Sequence, residues 1–278
     1  MKFFLVIGFV SILGLTSCKQ PKTSTPEVND SNTPLHLLDP DYKFAYKEWN
    51  TEEIKQFLDR IYIYLDKSTP TRVIDKESGK EILDYTQIDQ HSQLEQGDFR
   101  LASYEWGVTY TGMIEATRAT GDKRYQEYVT KRLRFLVEMV PHFSKLIKEY
   151  NVIDGQMRQI IQPRALDDAG AMCAAMIKLN RIYPDLNCND MINNYMDFIE
   201  NKEHRLADGT FARMRPQANT LWLDDMYMAI PALAQMGAYT GKKRYFDEAA
   251  QQISLFSKRM FVPEKGLYMH GWVESAES

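Results

Sequence analysis

The segment Thr120-Gly121-Asp122-Lys123-Arg124-Tyr125 recurs as Thr240-Gly241-Lys242-Lys243-Arg244-Tyr245, at a displacement of 120 residues. Both copies stand between stretches in which apolar residues recur at three- and four-residue steps, which is typical of helices. Glycine suits the left-handed backbone conformation that ends a helix. A further turn, Tyr183-Pro184-Asp185, lies about halfway between the copies. We therefore infer an internal repeat of about 60 residues, with two helices in each unit.

Three helical pairs follow from this pattern. The predicted pairs are 104–119 with 125–140, 168–182 with 191–200, and 225–239 with 245–260. An apolar face at 54–65 predicts an earlier helix, and residues 69–98 read as a long connection because they contain Pro70, Gly79 and Gly97.

Helical hairpins in series are typical of an all-α fold, the α/α toroid, in which inner helices face a central cavity and outer helices cover them. Six pairs would close the ring, and the sequence contains about seven substantial helices. We therefore expect an incomplete toroid that lacks the last helical hairpins.

The N-terminus has the pattern of an exported lipoprotein. Lys2 precedes a short apolar run at 3–15, and Cys18 follows Leu15-Thr16-Ser17. We expect a lipoprotein signal peptide at 1–17, lipid attachment at Cys18, and a flexible tether at 18–38, rich in Ser, Thr, Pro and Asn. The folded domain would span 39–278, anchored to a bacterial membrane in the periplasm or at the cell surface. The alternative is an ordinary signal peptide that happens to contain a cysteine.

Composition narrows the choice of ligands. The net charge is −4 and the sequence pI is about 5.8, which argues against a nucleic-acid partner. The five histidines are scattered singly, and no cluster of Cys and His has the spacing of a metal site, so we expect no structural metal. Cys173 lies in an apolar helical stretch, which predicts a buried thiol rather than a disulfide.

Two aspartates are the candidate chemical groups. Asp168 and Asp224 each stand where a polar segment begins an apolar helix. The N-termini of inner toroid helices point to one end of the cavity, so the two carboxyl groups are expected to converge there. The helix dipole favours ionised carboxylates, whereas burial and a second carboxylate favour the protonated form. Asp is also a favoured helix cap, and the spacing alone does not decide between capping and catalysis.

The segment Trp222-Leu223-Asp224-Asp225-Met226-Tyr227-Met228-Ala229-Ile230-Pro231 resembles the signature of glycoside hydrolase family 105, which is kin to family 88. Supporting segments are 166–171, 208–211 and 266–272, and the resemblance covers roughly residues 45–272. It implies an (α/α)6 toroid and an unsaturated rhamnogalacturonyl or glucuronyl hydrolase. It also implies that Asp224 is the general acid/base and Asp168 its partner. Trp222, Trp106 and Tyr104 become candidates for substrate stacking, and Arg213 for binding the uronate carboxylate.

The resemblance implies a hydrolase for oligosaccharides that lyases have left with a 4,5-unsaturated uronic acid at the non-reducing end. Such an enzyme removes that residue by hydrating its C4=C5 double bond and needs no metal or organic cofactor. Relatives continue beyond the last matching segment, so we expect the 278-residue chain to be weakly active or inactive by itself. A lipid-anchored, non-catalytic glycan-binding protein is the alternative from another class, and a toroid epimerase or inverting glycosidase is a third.

Overall fold

The computed structural model describes residues 49–152 and 154–276, and the unit that contains the helices begins at Asn50. The predicted signal peptide, Cys18 and the tether lie outside the described residues. Among the described residues, no helix has both the length and the apolar character needed to cross a bilayer.

The fold is mostly α-helical. The α-helices are α1 (Thr51–Ser68), α2 (Tyr104–Thr120), α3 (Lys123–Tyr150), α4 (Gly155–Ile161), α5 (Leu166–Ile182), α6 (Asn189–Asp197), α7 (Leu223–Thr240) and α8 (Lys243–Met260). A π-helical turn at Phe198–Lys202 continues α6. The short strands are β1 (Val73–Asp75), β2 (Ser92–Leu94), β3 (Thr220–Trp222), β4 (Phe261–Val262), β5 (Leu267–Tyr268) and β6 (Gly271–Val273). They pair antiparallel as β1–β2, β3–β6 and β4–β5.

Helices α2, α5 and α7 lie side by side and parallel. Near their N-termini the backbones approach so closely that a Cβ on Gly107 would lie 2.3 Å from the Ala171 carbonyl carbon. A Cβ on Gly170 would likewise lie 2.6 Å from the Met228 carbonyl. Towards their C-termini, Lys178 of α5 forms an ion pair with Glu115 of α2 at 3.0 Å. Near the C-termini of α5 and α7, Asn180 donates a hydrogen bond to the Tyr239 hydroxyl at 3.0 Å. Contacts near both ends of each helix pair require a parallel arrangement, so the three N-termini share one end of this inner layer.

The glycine turns connect this inner layer to an outer one. Gly121 ends α2 with φ of 76° and Gly241 ends α7 with φ of 70°, both in the left-handed region, as the repeated segment predicted. The tyrosines that follow, Tyr125 and Tyr245, are buried under the first turns of α3 and α8. The predicted pairing of inner and outer helices is confirmed for α2–α3, α5–α6 and α7–α8.

Two elements differ from the expectation. Helix α3 passes through Pro141 and continues to Tyr150, ten residues beyond the predicted end. Proline removes one backbone donor, but burial of Phe143 and Leu146 beyond it offsets that loss. The connection at 69–98 also contains the β1–β2 pair, whose register matches Val73 with Leu94.

Candidate active site

Asp168 lies in the first turn of α5, and hydrogen bonds hold its carboxyl group between two other elements. Oδ1 accepts a hydrogen bond from the backbone N–H of Tyr104 at 2.7 Å, which connects it to the start of α2. Oδ2 accepts one from Nε2 of Gln159 in α4 at 3.0 Å. Burial, and secondly the neighbouring charge of Asp167, raise the pKa of Asp168 above the usual range of a carboxyl group.

Asp224 occupies the corresponding first turn of α7. Its Oδ1 atom is buried and accepts no hydrogen bond from any described residue. Buried carboxylate oxygens are nearly always hydrogen-bonded, so an oxygen without a partner calls for a functional explanation. The N-termini of α5 and α7 are adjacent, which places Asp168 and Asp224 at the same end of the inner layer.

Arg213 connects α5 to α7, because its guanidinium binds Asp167 on α5 and Asp225 on α7. Its Nη2 atom donates to Asp167 Oδ2 and to Asp225 Oδ1, both at 2.7 Å, and its Nε atom donates to Asp225 Oδ2 at 2.5 Å. Two backbone hydrogen bonds join Arg213 to Thr220, the first residue of β3. Arg213 was predicted to bind a substrate carboxylate, but in this structure its polar contacts are with the protein's own carboxylates.

Three acidic residues near the site were missed by the sequence reasoning. Asp167 and Asp225 had a sequence signal, since each is the neighbour of a candidate aspartate in an Asp-Asp pair. Burial raises the pKa of Asp225 to about 6, although Arg213 acts in the opposite direction. Glu203 follows the π-helical turn and had no sequence signal. Burial raises the pKa of Glu203 to about 8, with a further contribution from Asp225.

The predicted aromatic residues fall in different environments. Tyr104 is 37% exposed, and the charges of Asp167 and Asp224 act on its phenol group. The half-buried Trp222 ring lies 4.4 Å from the Arg213 guanidinium, and its centroid is 5.7 Å from that of His270. Trp106 is only 6% exposed and packs on Phe99 with a centroid distance of 4.9 Å. The structure therefore brings Tyr104 and Trp222 to the site and places the Trp106 ring in the core.

The C-terminal segment holds Trp222 in position. Strand β6 pairs with β3 so that Gly271 lies opposite Trp222. The carbonyl of His270 also accepts a hydrogen bond from the Leu223 N–H at 2.8 Å, directly before Asp224. The segment at 266–272, singled out in the sequence, thus supports the start of α7.

Two cavities open next to these residues. The larger, of about 490 Å³, is lined by Arg213, Glu203 and His204 among others. The smaller, of about 210 Å³, is lined by Asp168 and by Gln159. Within residues 49–152 and 154–276, no group of three or more His, Cys, Asp or Glu side chains is arranged to hold a metal ion.

The arrangement is suited to moving a proton. A partly buried carboxyl group with a raised pKa, Asp168, stays protonated at a higher pH than an ordinary aspartate. A second carboxyl oxygen, Oδ1 of Asp224, accepts no hydrogen bond from residues 49–152 and 154–276. Two carboxyl groups that differ in this way can divide the work at a site, one binding the substrate and the other exchanging a proton with it.

Solved structures share the helical arrangement. A protein from Salmonella enterica serovar Paratyphi A, described as a possible member of the GH105 family, superimposes with a TM-score of 0.53 and 14% sequence identity. The match covers 87% of this chain and 56% of that one. A protein from Klebsiella pneumoniae with the same description gives a TM-score of 0.53 and 14% identity, covering 91% and 58%. This chain spans somewhat more than half the length of these structures, and the likeness shows a fold of the α/α toroid type.

The family itself is shown by sequence. The model of Glycosyl Hydrolase Family 88 matches residues 73–278, which include α2, α5, α7 and every candidate catalytic residue. The resemblance seen in the Trp-Leu-Asp-Asp-Met segment is thereby confirmed, and the chain belongs to glycosyl hydrolase family 88.

Proposed function

We propose that this protein removes a 4,5-unsaturated uronic acid from the non-reducing end of oligosaccharides that polysaccharide lyases produce. Membership of family 88 supports a glycoside hydrolase of the unsaturated uronyl type. The single observation that carries the assignment to a residue is the buried Oδ1 atom of Asp224, which has no hydrogen-bond donor among the described residues. A bound sugar would supply the missing partner.

In the proposed reaction, the Asp224 carboxyl group gives its proton to C4 of the unsaturated ring. Water adds to C5, and the carboxylate takes the proton that this water loses. The double bond is consumed, and a C4–H bond and a C5–O bond form. The resulting hemiketal opens to a C5 ketone, and C1 then releases the neighbouring sugar as an alcohol while becoming an aldehyde. This route differs from displacement at the anomeric carbon by a pair of carboxylates.

The other site residues would bind and position. Asp168, held by Tyr104 and Gln159, would hydrogen-bond the ring next to the reacting carbon. Trp222 and Tyr104 would offer their rings to the sugar. Arg213 would act mainly by holding the starts of α5 and α7 through Asp167 and Asp225. Trp106, as a core residue, would support the start of α2 rather than touch the substrate.

The location is part of the proposal. Lipid attachment at Cys18 would tether the hydrolase to a bacterial membrane, in the periplasm or at the cell surface, where lyase products arise or enter. No metal and no organic cofactor is required by the proposed chemistry.

The reaction can be followed through the double bond. An unsaturated disaccharide should lose its ultraviolet absorbance, and in D2O the released uronate should carry deuterium at C4. Asp224→Asn, which removes the proton donor, should slow the loss of absorbance about a hundredfold or more relative to the unsubstituted chain. Asp190→Asn is the matched control, because Asp190 is an exposed first-turn aspartate of α6, in the outer layer.

Three results would contradict the proposal. One is an unchanged rate in Asp224→Asn, which would remove its assigned role. Another is release of sugar with the double bond intact, which would indicate displacement at the anomeric carbon. Saturable binding of the disaccharide without any cleavage would instead support the glycan-binding alternative.

A further inference from the structure

Gln159 of α4 places its amide group directly against Asp168. Its Nε2 atom donates to Asp168 Oδ2 at 3.0 Å, while its Oε1 atom is buried and accepts no hydrogen bond from residues 49–152 and 154–276. A buried amide oxygen without a partner costs free energy, so a glutamine that served packing alone would gain by replacement with an apolar residue. The hydrogen bond to Asp168 therefore indicates a role that acts through this carboxyl group.

Helix α4 is held in place from several directions. The Asp154 side chain caps its first turn. The Gln156 side chain accepts a hydrogen bond from the N–H of Leu101, in the loop before α2. Asn194 of α6 donates to the Ile160 carbonyl at 2.7 Å. These contacts fix the amide relative to the start of α2 and to the outer helix α6.

Two hydrogen bonds oppose the effect of burial on Asp168. Burial, and then the charge of Asp167, raise the pKa of Asp168, whereas N–H donors aimed at its oxygens stabilise the ionised form and lower that pKa. The backbone N–H of Tyr104 supplies one donor, at Oδ1, and Gln159 supplies the other, at Oδ2. A backbone donor is present whatever side chain stands at position 104, so the amide is the donor that a substitution can remove.

Other charged groups also act on Asp168. Glu105 of α2 raises its pKa, and Arg100, in the loop before α2, lowers it. The charge of Asp168 in turn acts on the buried phenol of Tyr195 on α6. Three arginines line the same cavity as Asp168, namely Arg158, Arg164 and Arg215. A substitution of Gln159 leaves all of these groups unchanged, so its effect on Asp168 reports the amide.

We propose that Gln159 is a positioning residue that keeps the Asp168 carboxyl group ionised and fixed in place. The hydrogen bond is read from the structure, whereas its consequence for turnover rests on the proposed function. An ionised carboxylate accepts hydrogen bonds at both oxygens, so it can bind a sugar hydroxyl group while it keeps its protein donors. Without the amide, Asp168 would take up a proton at a higher pH and lose an acceptor site for the sugar.

NMR titration of the Asp168 carboxyl carbon tests this on the full chain without any substrate. Aspartate labelled with carbon-13 at the carboxyl group is incorporated, and Asp168→Asn assigns the signal. Gln159→Met keeps the size of the side chain and removes the donor, so it should raise the pKa of Asp168 by about 1 or more. Gln159→Glu keeps the shape of the amide and adds a like charge, so it should raise that pKa further. Gln162→Met is the matched control, because Gln162 is an exposed glutamine at the end of α4, and it should leave the pKa unchanged.

The pH profile of turnover separates positioning from a merely structural role. With an unsaturated disaccharide, kcat/KM should fall as the pH falls through the pKa of Asp168, because the ionised form binds the sugar. In Gln159→Met this fall should begin about one pH unit higher, or more, than in the unsubstituted chain. A glutamine that only supported the fold would lower kcat/KM without moving the profile.

Three results would overturn the proposal. An unchanged pKa in Gln159→Met would show that the amide does not control the ionisation of Asp168. A lowered pKa would show that the amide instead accepts the proton of a neutral Asp168. A raised pKa with an unmoved pH profile would show that this ionisation does not matter for turnover. The expected titration combined with no cleavage of any unsaturated substrate would disprove the proposed function while leaving the control of Asp168 by Gln159 supported.

Discussion

At the scale of single residues, the two aspartates of each Asp-Asp pair have different partners. Consecutive helical residues point about 100° apart, so the carboxyl groups of one pair cannot share a partner easily. Asp167 and Asp225 turn towards Arg213, whereas Asp168 binds Tyr104 and Gln159, and Asp224 keeps one oxygen without a donor. Both pairs are visible in the sequence, but the direction in which each carboxyl group points depends on Arg213, which lies in a distant loop.

Glu203 predicts how the stability of the protein depends on pH. Its pKa is about 8 in the folded protein and near 4.5 when the group is free, so the folded state keeps a proton that the unfolded chain loses. The stabilisation is complete below about pH 4.5 and is lost as the pH rises to about 8, by at most about 1.4 kcal/mol per pH unit. Glu203→Gln has no proton to lose, so its Tm should rise relative to the unsubstituted chain across this window.

Thermal unfolding at intervals from pH 4.5 to 9 measures that difference. Glu264→Gln, on an exposed turn, controls for the loss of one carboxylate. A Tm difference between Glu203→Gln and the unsubstituted chain that stays constant over the whole window would show that Glu203 is not held protonated by its surroundings.

At the scale of helices, glycine allows the inner helices to approach each other closely. Gly107 lets α2 approach the backbone of α5, and a Cβ there would lie 2.3 Å from the Ala171 carbonyl carbon. Gly107→Ala should therefore push the helices apart, destabilise the fold by about 2 kcal/mol or more, and disturb the contact between Tyr104 and Asp168. Gly112→Ala lies on the same helix with no atom within 4 Å of the added Cβ, and should be neutral or stabilise by about 0.5–1 kcal/mol.

Urea denaturation of the two alanine variants provides the measurement. Because both substitutions change the same residue type in the same helix, helix propensity cancels and the difference reports packing alone. Equal free energies of unfolding for Gly107→Ala and Gly112→Ala would contradict the close approach of α2 and α5.

Helix ends were predictable because their causes are local. The left-handed glycines at 121 and 241 end α2 and α7 where the repeated segment indicated, and the Asp122 side chain caps α3. The segment at 203–222 was not predictable in the same way. There Arg213 pairs with Thr220, and β3 pairs with a strand about fifty residues later, so its course depends on contacts that no short pattern records.

At the scale of the whole molecule, the candidate site is assembled from most of the described chain. The start of α2 supplies Tyr104, α4 and α5 supply Gln159 and Asp168, and α7 supplies Asp224. Strand β6 then fixes the residue before α7. A fold in which parallel inner helices share one end collects such distant residues naturally, since each helix start contributes at the same level. This explains why the sequence separates residues that the structure places together.

The proposed anchor concerns the molecule as a whole, because a tethered hydrolase can act only on glycans that reach its membrane. If Cys18 is lipidated, a bacterial host that expresses the full chain and is fed radioactive palmitate should label it, and Cys18→Ala should lose the label and leave the membrane fraction. Cys173→Ala is the matched control, since it removes a buried thiol of α5 and should stay labelled. Equal labelling of Cys18→Ala and the unsubstituted chain would exclude this anchor. An unlabelled, secreted unsubstituted chain would instead indicate that the N-terminal segment is an ordinary signal peptide, and the hydrolase would then meet its substrates in free solution.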